Sequence, residues 1–385
     1  MPALKHRVNR ASYNQRIRSL VDLGTTSVKA LVVELKGGQT HIWGHGQVSL
    51  EGGYGPTGEV VDCEAVAAAC DAALSAAEKM TPDTFGHKIV PDQSVWSVPG
   101  WLCDRHSFAF QHRRSRPAKP ISRREWLTIE AQLERAMADL SGAPVDVIPT
   151  AQVDGSTVTD AVGLRGETLT LSAFVASADS DTLATFRQVA AILDLELPAF
   201  VSQARAATAG LPSDGVLLDV GRWGTDIIVA HRGQLADAAW MPMGGQSFYR
   251  TLANSFGLTP ARLPRFCQAY GEGWLPPEAT MAADAVLVDP VARWLDLAAE
   301  QLADLATDTS LSHHIYLAGE ASRLPAVSQG TRHYAWMRQL PWPRHPEVHL
   351  WQPTSVSNLT NHTGHRWGAS DLVRLGLARL AAKIM

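Results

Sequence analysis

The stretch that decides the fold is Leu20–Val33, which reads Leu-Val-Asp-Leu-Gly-Thr-Thr-Ser-Val-Lys-Ala-Leu-Val-Val. An apolar run ends in Asp22, a corner of Gly24, Thr25 and Thr26 follows, and a second apolar run leaves the corner. Two apolar runs around a short polar turn predict a β-hairpin. Such a turn can hold a phosphate through its N–H and hydroxyl groups, with Asp22 beside a metal ion. From this segment alone, an ordinary hairpin and a phosphate-binding turn remain equally good interpretations.

A second stretch repeats this order about two hundred residues later. Gly215–Val220 is an apolar strand that contains Asp219, and Ile227–Ala230 is the apolar strand that follows. Gly221 and Gly224 lie in the turn between them. An internal repeat of this kind predicts a duplicated α/β fold with a ligand cleft between its two halves.

The composition is that of a globular protein without a strong charge bias. Of 385 residues, 45% are hydrophobic and 19% charged, and the net charge is −4. This length allows more than one domain. Four scattered cysteines without a Cys-x-x-Cys pair indicate reduced thiols in a cytoplasmic protein. We expect neither a membrane-spanning segment nor a signal peptide, because no apolar run is long enough.

Apolar periodicity and end signals predict the other elements of the two halves. Strands are expected at Gln39–Leu50, Ser94–Val98 and Ile315–Leu317, and helices at Val61–Met80 (capped by Asp62), Thr182–Leu195, Gly245–Asn254, Val286–Thr307 and Ala369–Ile384. Thr259-Pro260 is a further helix start, and Pro264 makes that helix start late or bend. The closing helix is apolar on all sides, which favours burial over a membrane-facing stripe, although its basic residues leave a membrane role open.

Residues 100–176 predict a small α+β unit set inside the larger fold. Strands are expected at Val145–Ile148, Ala151–Val153 and Thr168–Val175. Ser122 begins a helix, with Glu125 three residues later in the pattern of a capping box.

A basic segment precedes this helix. His112–Arg124 carries six Arg and Lys residues, no acid and two prolines, which predicts an exposed loop. It can be a solvated surface or a contact for protein or lipid.

The two hairpins, the later Gly244-Gly245 pair and the strand that turns at Gly319 are similar, in order and spacing, to the actin-like ATPase superfamily. The resemblance implies an α/β fold of two duplicated mixed-sheet halves around a nucleotide cleft that binds ATP and Mg²⁺. The residues it implies for the nucleotide are Asp22, Gly24, Thr25, Thr26, Asp219, Gly221, Gly224, Thr225, Asp226, Gly244, Gly245 and Gly319. Asp22 and Asp219 are the implied Mg²⁺ carboxylates, and no catalytic residue is assigned.

Within the superfamily, the segments Val145–Pro149, Val153–Gly155 and Asp160–Gly166 resemble the inserted subdomain of the FtsA family of bacterial cell-division proteins. Met241–Gly245 also fits that family. The insert is therefore expected to be of the SHS2 type. The PilM family of pilus-assembly proteins has the same layout and is the alternative, although it lacks the run from Val153 to Gly166.

The resemblance implies four subdomains and a basic arm. The expected boundaries are 1–18 for a flexible basic arm, 19–99 with 177–212 for subdomain 1A, 100–176 for 1C, 213–248 with 309–385 for 2A, and 249–308 for 2B.

The resemblance also implies a function. An FtsA-like chain self-associates into filaments, binds the C-terminal tail of FtsZ, and lies in the cytoplasm at the inner face of the membrane at the division site. Membrane contact through the basic arm or through a partner is left open, and we expect no nucleic-acid partner. The PilM-like alternative is a pilus-assembly scaffold.

The chain departs from the family pattern at the nucleotide site. Arg222 and Trp223 replace two glycines of the second turn, and Glu320 and Ala321 replace two glycines after Gly319. An acidic residue of the connecting segment is replaced by Ser202 or Gln203, and a Glu and a Lys of the ribose region by Pro264 and Cys267. Glycine is used in such turns because a Cβ crowds an approaching phosphate. We therefore expect weakened or lost nucleotide binding and poor or absent hydrolysis, while the filament or adaptor function remains.

Overall fold

The computed structural model describes residues 16–50, 52, 54, 60, 62–306, 311–336 and 340–384. Residues 1–15 of the predicted basic arm lie outside this range, whereas Ile17 and Arg18 belong to the first strand rather than to an arm. The strands are β1 (Ile17–Leu23), β2 (Ser27–Lys36), β3 (Gln39–Ser49), β4 (Gln93–Val98), β5 (Cys103–Arg113), β6 (Ala143–Val153), β7 (Ser156–Val158), β8 (Thr168–Ala178), β9 (Glu196–Ser202), β10 (Gly215–Val220), β11 (Thr225–His231), β12 (Gln234–Met241), β13 (His314–Ala318), β14 (Glu347–Leu350) and β15 (Leu359–Asn361). The helices are α1 (Cys63–Glu78), α2 (Pro82–Phe85), α3 (Arg123–Ala138), α4 (Ser180–Ile192), α5 (Gln203–Ala209), α6 (Gly245–Phe256), α7 (Leu263–Gly271), α8 (Pro277–Leu305), α9 (Pro325–His333) and α10 (Leu372–Ile384).

Two sheets share one topology. The first has the strand order β15-β3-β2-β1-β4-β9, and the second has the order β12-β11-β10-β13-β14. In each sheet an antiparallel three-stranded meander is followed by two strands that add in parallel. β15 extends the first sheet by parallel pairing with β3. The internal repeat predicted from the two hairpins is confirmed as a duplicated topology.

The apolar runs form buried strands because both faces of each sheet are covered. In the first sheet, Val21 and Val32 belong to the core that contains α1 and α4. The alternate residues Leu20 and Leu31 belong to a second core, which also contains α5, α10 and residues of the second sheet such as Leu217. The other face of the second sheet packs on α6 and α8. The core around α5 and α10 therefore joins the two halves.

The closing helix α10 is a core helix, as its all-round apolar pattern predicts. Leu372, Leu375 and Leu377 are at most 2% exposed. The backbone of α10 lies so close to α5 that a Cβ on Gly376 would be 1.8 Å from the carbonyl oxygen of Ala206. No helix among the described residues combines the length and apolar character needed to cross a bilayer.

The inserted unit is a four-stranded sheet in the order β5-β8-β6-β7, with α3 packed against it. The capping box of Ser122 and Glu125 is confirmed. The prediction of two short strands before Asp154 is wrong, because Ala143–Val153 runs as one strand through Pro149. A proline is tolerated there because β7 pairs only with Ala151–Val153, so β6 has β8 as its single neighbour at Pro149 and its other side is a sheet edge.

The prediction of an exposed basic loop at His112–Arg124 is wrong at its start. His112 and Arg113 end strand β5, and Arg114 is buried. Arg114 donates hydrogen bonds to the carbonyl oxygens of Gly166 (2.8 Å) and Lys119 (2.9 Å). Its Nε lies 3.1 Å from Glu125 Oε1. This arginine therefore ties the loop to the insert.

One helix starts late, as one of the two predicted alternatives has it, and another starts earlier than predicted. The helix expected at Thr259-Pro260 begins at Leu263, so Pro264 falls in the first turn, where its missing N–H is not needed. Helix α8 begins at Pro277, well before the predicted Val286, and contains Pro290. The predicted end at Thr307 lies outside the described residues.

Candidate functional site

The turns of the two predicted hairpins face each other across one cavity, here called the first cavity, of about 440 Å³. Most of the residues predicted to bind a nucleotide line it: Asp22, Gly24, Thr25, Thr26, Asp219, Gly221, Gly224, Asp226 and Gly319. They come from chain segments about one hundred to three hundred residues apart. The shared core around α5 and α10 brings these segments together.

Three predicted residues, Thr225, Gly244 and Gly245, do not line the first cavity. Thr225 is buried, and its hydroxyl donates to the carbonyl of Met243 (2.8 Å) and accepts from Trp294 Nε1 (2.9 Å). The N–H of Gly245 donates to the carbonyl of Gly221 (2.8 Å). Gly245 at the start of α6 thus supports the second turn, and its amide is not available to a ligand in the first cavity.

Asp22 is surrounded by polar partners. Its Oδ1 accepts hydrogen bonds from Ser97 Oγ and Gln203 Nε2, each at 2.9 Å. Its Oδ2 lies 3.8 Å from Lys29 Nζ, which also donates to the carbonyl of Ser370 at 2.5 Å. Protein groups therefore hold Oδ1 of Asp22, while Oδ2 faces Lys29, and the role of Asp22 beside a metal ion or its water shell stays a prediction.

Lys29, Ser97 and Gln203 were missed as partners of Asp22. For Lys29 a signal existed in the hairpin itself, because the two-strand register places it directly opposite Asp22. Charged residues that face each other across an antiparallel pair interact. Ser97 and Gln203 arrive from β4 and α5, and no local pattern in the sequence indicates that placement.

Two carboxyl groups lie opposite each other on the second hairpin. Asp219 and Asp226 are register partners of β10 and β11. Loss of surrounding water raises the pKa of Asp219 to about 6, while Lys29 opposes and Asp22 adds to this shift. The same desolvation, with Asp219 and Asp22 nearby, raises the pKa of Asp226 well above its ordinary value. The pair therefore carries less negative charge at neutral pH than two ordinary aspartates.

The cleft does not hold a ready-made protein cage for Mg²⁺. In the part of the chain that the structure describes, no three His, Cys, Asp or Glu side chains of the cleft bring ligand atoms within 4.8 Å of one another. Mg²⁺ is commonly held by one or two carboxylates together with substrate phosphates and water. Asp219, one of the two predicted ligands, remains available for that arrangement.

A second cavity, of about 450 Å³, adjoins the first, and Arg222 and Glu320 line both. Tyr249, Pro264 and Cys267 are among its other walls. Cavities of these sizes suit small organic ligands. Together they would fit an elongated ligand with an anionic end near Lys29 and a planar end beside Tyr249.

The residues that depart from the family pattern lie at the junction of the cavities. Arg222 turns away from its own hairpin, since its Nε donates to Gln246 Oε1 (3.0 Å) and its guanidinium lies 5.8 Å from the centre of the Tyr249 ring. Trp223 remains 53% exposed at the wall of the first cavity. Burial, with Glu320 nearby, raises the pKa of the Cys267 thiol to about 11, so it stays protonated.

Gly319 is a position where the geometry requires glycine. Its φ is +85°, and a Cβ there would lie 2.4 Å from the carbonyl oxygen of Val220 and 2.6 Å from Asp219 Oδ1. The following residues Glu320 and Ala321 have negative-φ or helical conformations that accept side chains. The turn keeps the one glycine that its backbone demands.

No family model matches the sequence, and no curated protein sequence is similar to it. Solved structures are similar. The PilM–PilN type IV pilus biogenesis complex matches at 14% identity over 95% of this chain and 98% of that chain, with a TM-score of 0.65. The ethanolamine utilization protein EutJ from Carboxydothermus hydrogenoformans matches at 14% identity over 94% and 89%, with a TM-score of 0.51.

A weaker similarity is to MreB5 of Spiroplasma citri bound to AMPPNP, at 13% identity and a TM-score of 0.49. The match covers 96% of this chain and 97% of that chain. At these identities a structural likeness defines a fold and not a function. Together with the duplicated sheets and the cleft between them, the comparisons show that the chain has the actin-like ATPase fold.

Proposed function

We propose that this chain is an actin-like scaffold protein that binds a nucleotide weakly in its cleft and turns it over poorly or not at all. The observation that carries the proposal is the convergence of both hairpin turns and Gly319 on the first cavity. Lys29 supplies a cation there, and the adjoining second cavity offers room for a base. The residues fit a nucleotide, whose phosphates would lie between Thr25, Thr26 and Lys29.

The walls of the first cavity argue against efficient hydrolysis. Attack on a phosphate by water needs a group that positions or deprotonates the water. At the start of α5, Ser202 accepts a hydrogen bond from the N–H of Arg205 (3.1 Å) as the helix cap, and Gln203 donates to Asp22. Neither side chain is a base at neutral pH, and Asp22 is already held by its partners.

The scaffold role is supported by the likeness to a protein solved together with its partner. The match to the PilM–PilN complex covers 95% of this chain and 98% of that chain. The aligned part of this chain therefore includes the inserted unit. We therefore propose that this chain, like PilM, holds the N-terminal segment of a PilN-type protein. The nucleotide would then stabilise the relative placement of the two halves.

An FtsA-like function is the second candidate, because the segments that suggested it lie together in the insert. Val145–Pro149 lies in β6, and Asp154 and Gly155 form the turn to β7. Asp154 Oδ1 accepts hydrogen bonds from the N–H groups of Glu167 (2.8 Å) and Thr168 (2.7 Å). The residues that directly follow the Val153–Gly166 run therefore bond back to Asp154 near its start. On this proposal the partners are the FtsZ C-terminal tail, further copies of the chain and the membrane.

A binding experiment with two peptides separates the candidates. The full chain is immobilised and titrated with a PilN-type N-terminal peptide and with an FtsZ C-terminal peptide, each beside a scrambled version. The first proposal predicts saturable binding of the PilN-type peptide alone. Saturable binding of the FtsZ peptide alone would support the second candidate and contradict the first. Binding of neither unscrambled peptide would contradict both partner proposals.

A further inference from the structure

A cluster of histidines and one glutamate lies at the end of the second sheet that is remote from the cleft. The histidine cluster consists of His313, His314, Glu347 and His349. His314 begins β13, whose other end leads into Gly319 at the cleft. Glu347 and His349 lie on the parallel edge strand β14, where the register pairs are His314 with Glu347 and Tyr316 with His349. Alternate residues of neighbouring strands share a face, so three of these side chains point the same way.

The ligand-type atoms of these side chains are close together. His314 Nδ1 lies 3.2 Å from His349 Nε2. Glu347 Oε2 lies 3.9 Å from His314 Nδ1 and 3.8 Å from His349 Nε2. His313 also brings a ring nitrogen within 4.8 Å of the ligand atoms of His314 and Glu347. Among the described residues, His313, His314 and Glu347 form the group that meets that distance, and His349 joins it through its contacts with His314 and Glu347.

These separations are near those of a metal site. Ligand atoms about 2.0–2.1 Å from a tetrahedral Zn²⁺ lie about 3.4 Å apart. The two imidazole nitrogens already have that spacing, and the carboxylate of Glu347 has to move by only about half an ångström. That side chain is 54% exposed, so it is free to rotate.

We propose that His314, Glu347 and His349 form a binding site for a divalent transition-metal ion, with Zn²⁺ as the metal of first choice. Imidazole and carboxylate together suit Zn²⁺ and its neighbours in the transition series, whereas Mg²⁺ prefers oxygen ligands alone. The His314 and His349 side chains are 27% and 43% exposed, so an ion can enter from solvent. The ion would link the edge strand β14 to β13 through side chains of both strands.

Neighbouring side chains affect the affinity of the site for a metal ion. Arg344 donates to Nε2 of His313, so the proton of that neutral imidazole lies on Nδ1, and His313 is not counted as a ligand. Burial, the neighbouring His313 and His349, and Arg344 lower the pKa of His314, whereas Glu347 raises it. A neutral imidazole is the form that binds metal. The positive charge of Arg344 opposes a cation, so its removal should tighten binding.

The test uses the full chain, freed of metal with EDTA and titrated with Zn²⁺ in competition with a chromophoric zinc indicator. We expect one tight equivalent of Zn²⁺, and no competition from millimolar Mg²⁺. His349→Ala and Glu347→Gln should each weaken Zn²⁺ binding by at least about 10-fold, and Arg344→Gln should strengthen it. Glu347→Gln keeps the shape of an exposed side chain, so it reports on binding even if His349→Ala does not fold.

The matched control is His362→Ala. His41 Nδ1 lies 3.0 Å from His362 Nε2, so this pair equals the His314–His349 pair in spacing. It has no third ligand atom at the required distance among the described residues. His362→Ala should leave Zn²⁺ affinity unchanged. Equal affinity of the parent chain and Glu347→Gln, absence of tight binding, or loss of binding in His362→Ala would each overturn the proposal.

Discussion

Lys29 is the residue that makes the first cavity suitable for an anion. It lies opposite Asp22 in the hairpin and beside the buried carboxyl groups of Asp219 and Asp226. Without a cation, three aspartates would repel a phosphate. Lys29 also lowers the pKa of Asp219 and so favours its charged form, which a metal–phosphate complex requires.

Replacing Lys29 by Gln should weaken Mg-ATP binding by about 10-fold or more, since a hydrogen bond to a charged group contributes about 1.5–3 kcal/mol. Calorimetric titration of both proteins measures the change. The control is Lys36→Gln, which removes an exposed lysine from the end of the same strand. An equal loss of Mg-ATP affinity in Lys29→Gln and Lys36→Gln would contradict a specific role of Lys29, because general charge attraction would then explain both losses.

The raised pKa of Asp219 predicts a pH dependence of stability. In the folded chain this carboxyl releases its proton near pH 6, and in the unfolded chain near pH 4. Between these values the folded state binds the extra proton, so the free energy of unfolding falls as pH rises through this window. Asp219→Asn should reduce that slope, to which the raised pKa of Asp226 also contributes, and should stabilise the metal-free chain at pH 7 by about 1–3 kcal/mol.

Urea unfolding at several pH values measures this effect. Asp289→Asn, an exposed position on α8, serves as the control and should leave the slope unchanged. A slope in Asp219→Asn as steep as that of the parent chain would show that the Asp219 carboxyl is not responsible.

At the scale of elements, α10 is the helix that contributes most to holding the two halves together, because it packs on α5 in the core that both sheets share. Thr40 Oγ1 donates to the carbonyl of Ala378 (2.9 Å), and Arg379 donates to that of Ala209 (2.7 Å). The all-round apolar pattern predicted a core helix. It could not predict the partner, since α5 lies more than one hundred and fifty residues earlier.

Gly376→Ala should destabilise the fold by at least about 2 kcal/mol, because the new Cβ would overlap the backbone of α5. Thermal or urea unfolding measures the loss. Gly368→Ala is a matched control, since a Cβ there has open space. Similar stability of both variants would contradict the close packing of α10 on α5.

The loop of the insert depends on Arg114. Arg114→Leu should cost about 2–4 kcal/mol in the free energy of unfolding, because it leaves the carbonyl of Gly166 and the carboxylate of Glu125 without their partner. The neighbouring Arg113 is exposed and pairs with Glu167 at the surface, so Arg113→Leu should cost less than about 0.5–1 kcal/mol. Denaturant titration of the two variants gives the comparison, and equal costs would contradict the buried role of Arg114.

At the scale of the whole molecule, the repeated features of the fold can be predicted from the sequence. Features that depend on contacts between distant segments mostly cannot. Both hairpins, the duplicated sheets and the convergence at Asp22 and Asp219 follow from strand patterns and their order. The partners of Asp22, the burial of Arg114 and the histidine cluster do not, since each joins segments that meet only in the folded chain. Gly244 and Gly245 are assigned to the ligand by the family resemblance alone, but the carbonyl of Gly221 in the second turn accepts the N–H of Gly245.

The account as a whole depends on a cleft that binds a nucleotide weakly and does not hydrolyse it. The most direct test is calorimetric titration of the full chain with Mg-ATP, with phosphate release followed on the same samples. We predict saturable binding with a dissociation constant above about 10 µM, which corresponds to less than about 7 kcal/mol, and phosphate release no faster than in buffer. Binding at or below about 1 µM with steady turnover would contradict the account, and so would a complete absence of binding at millimolar Mg-ATP.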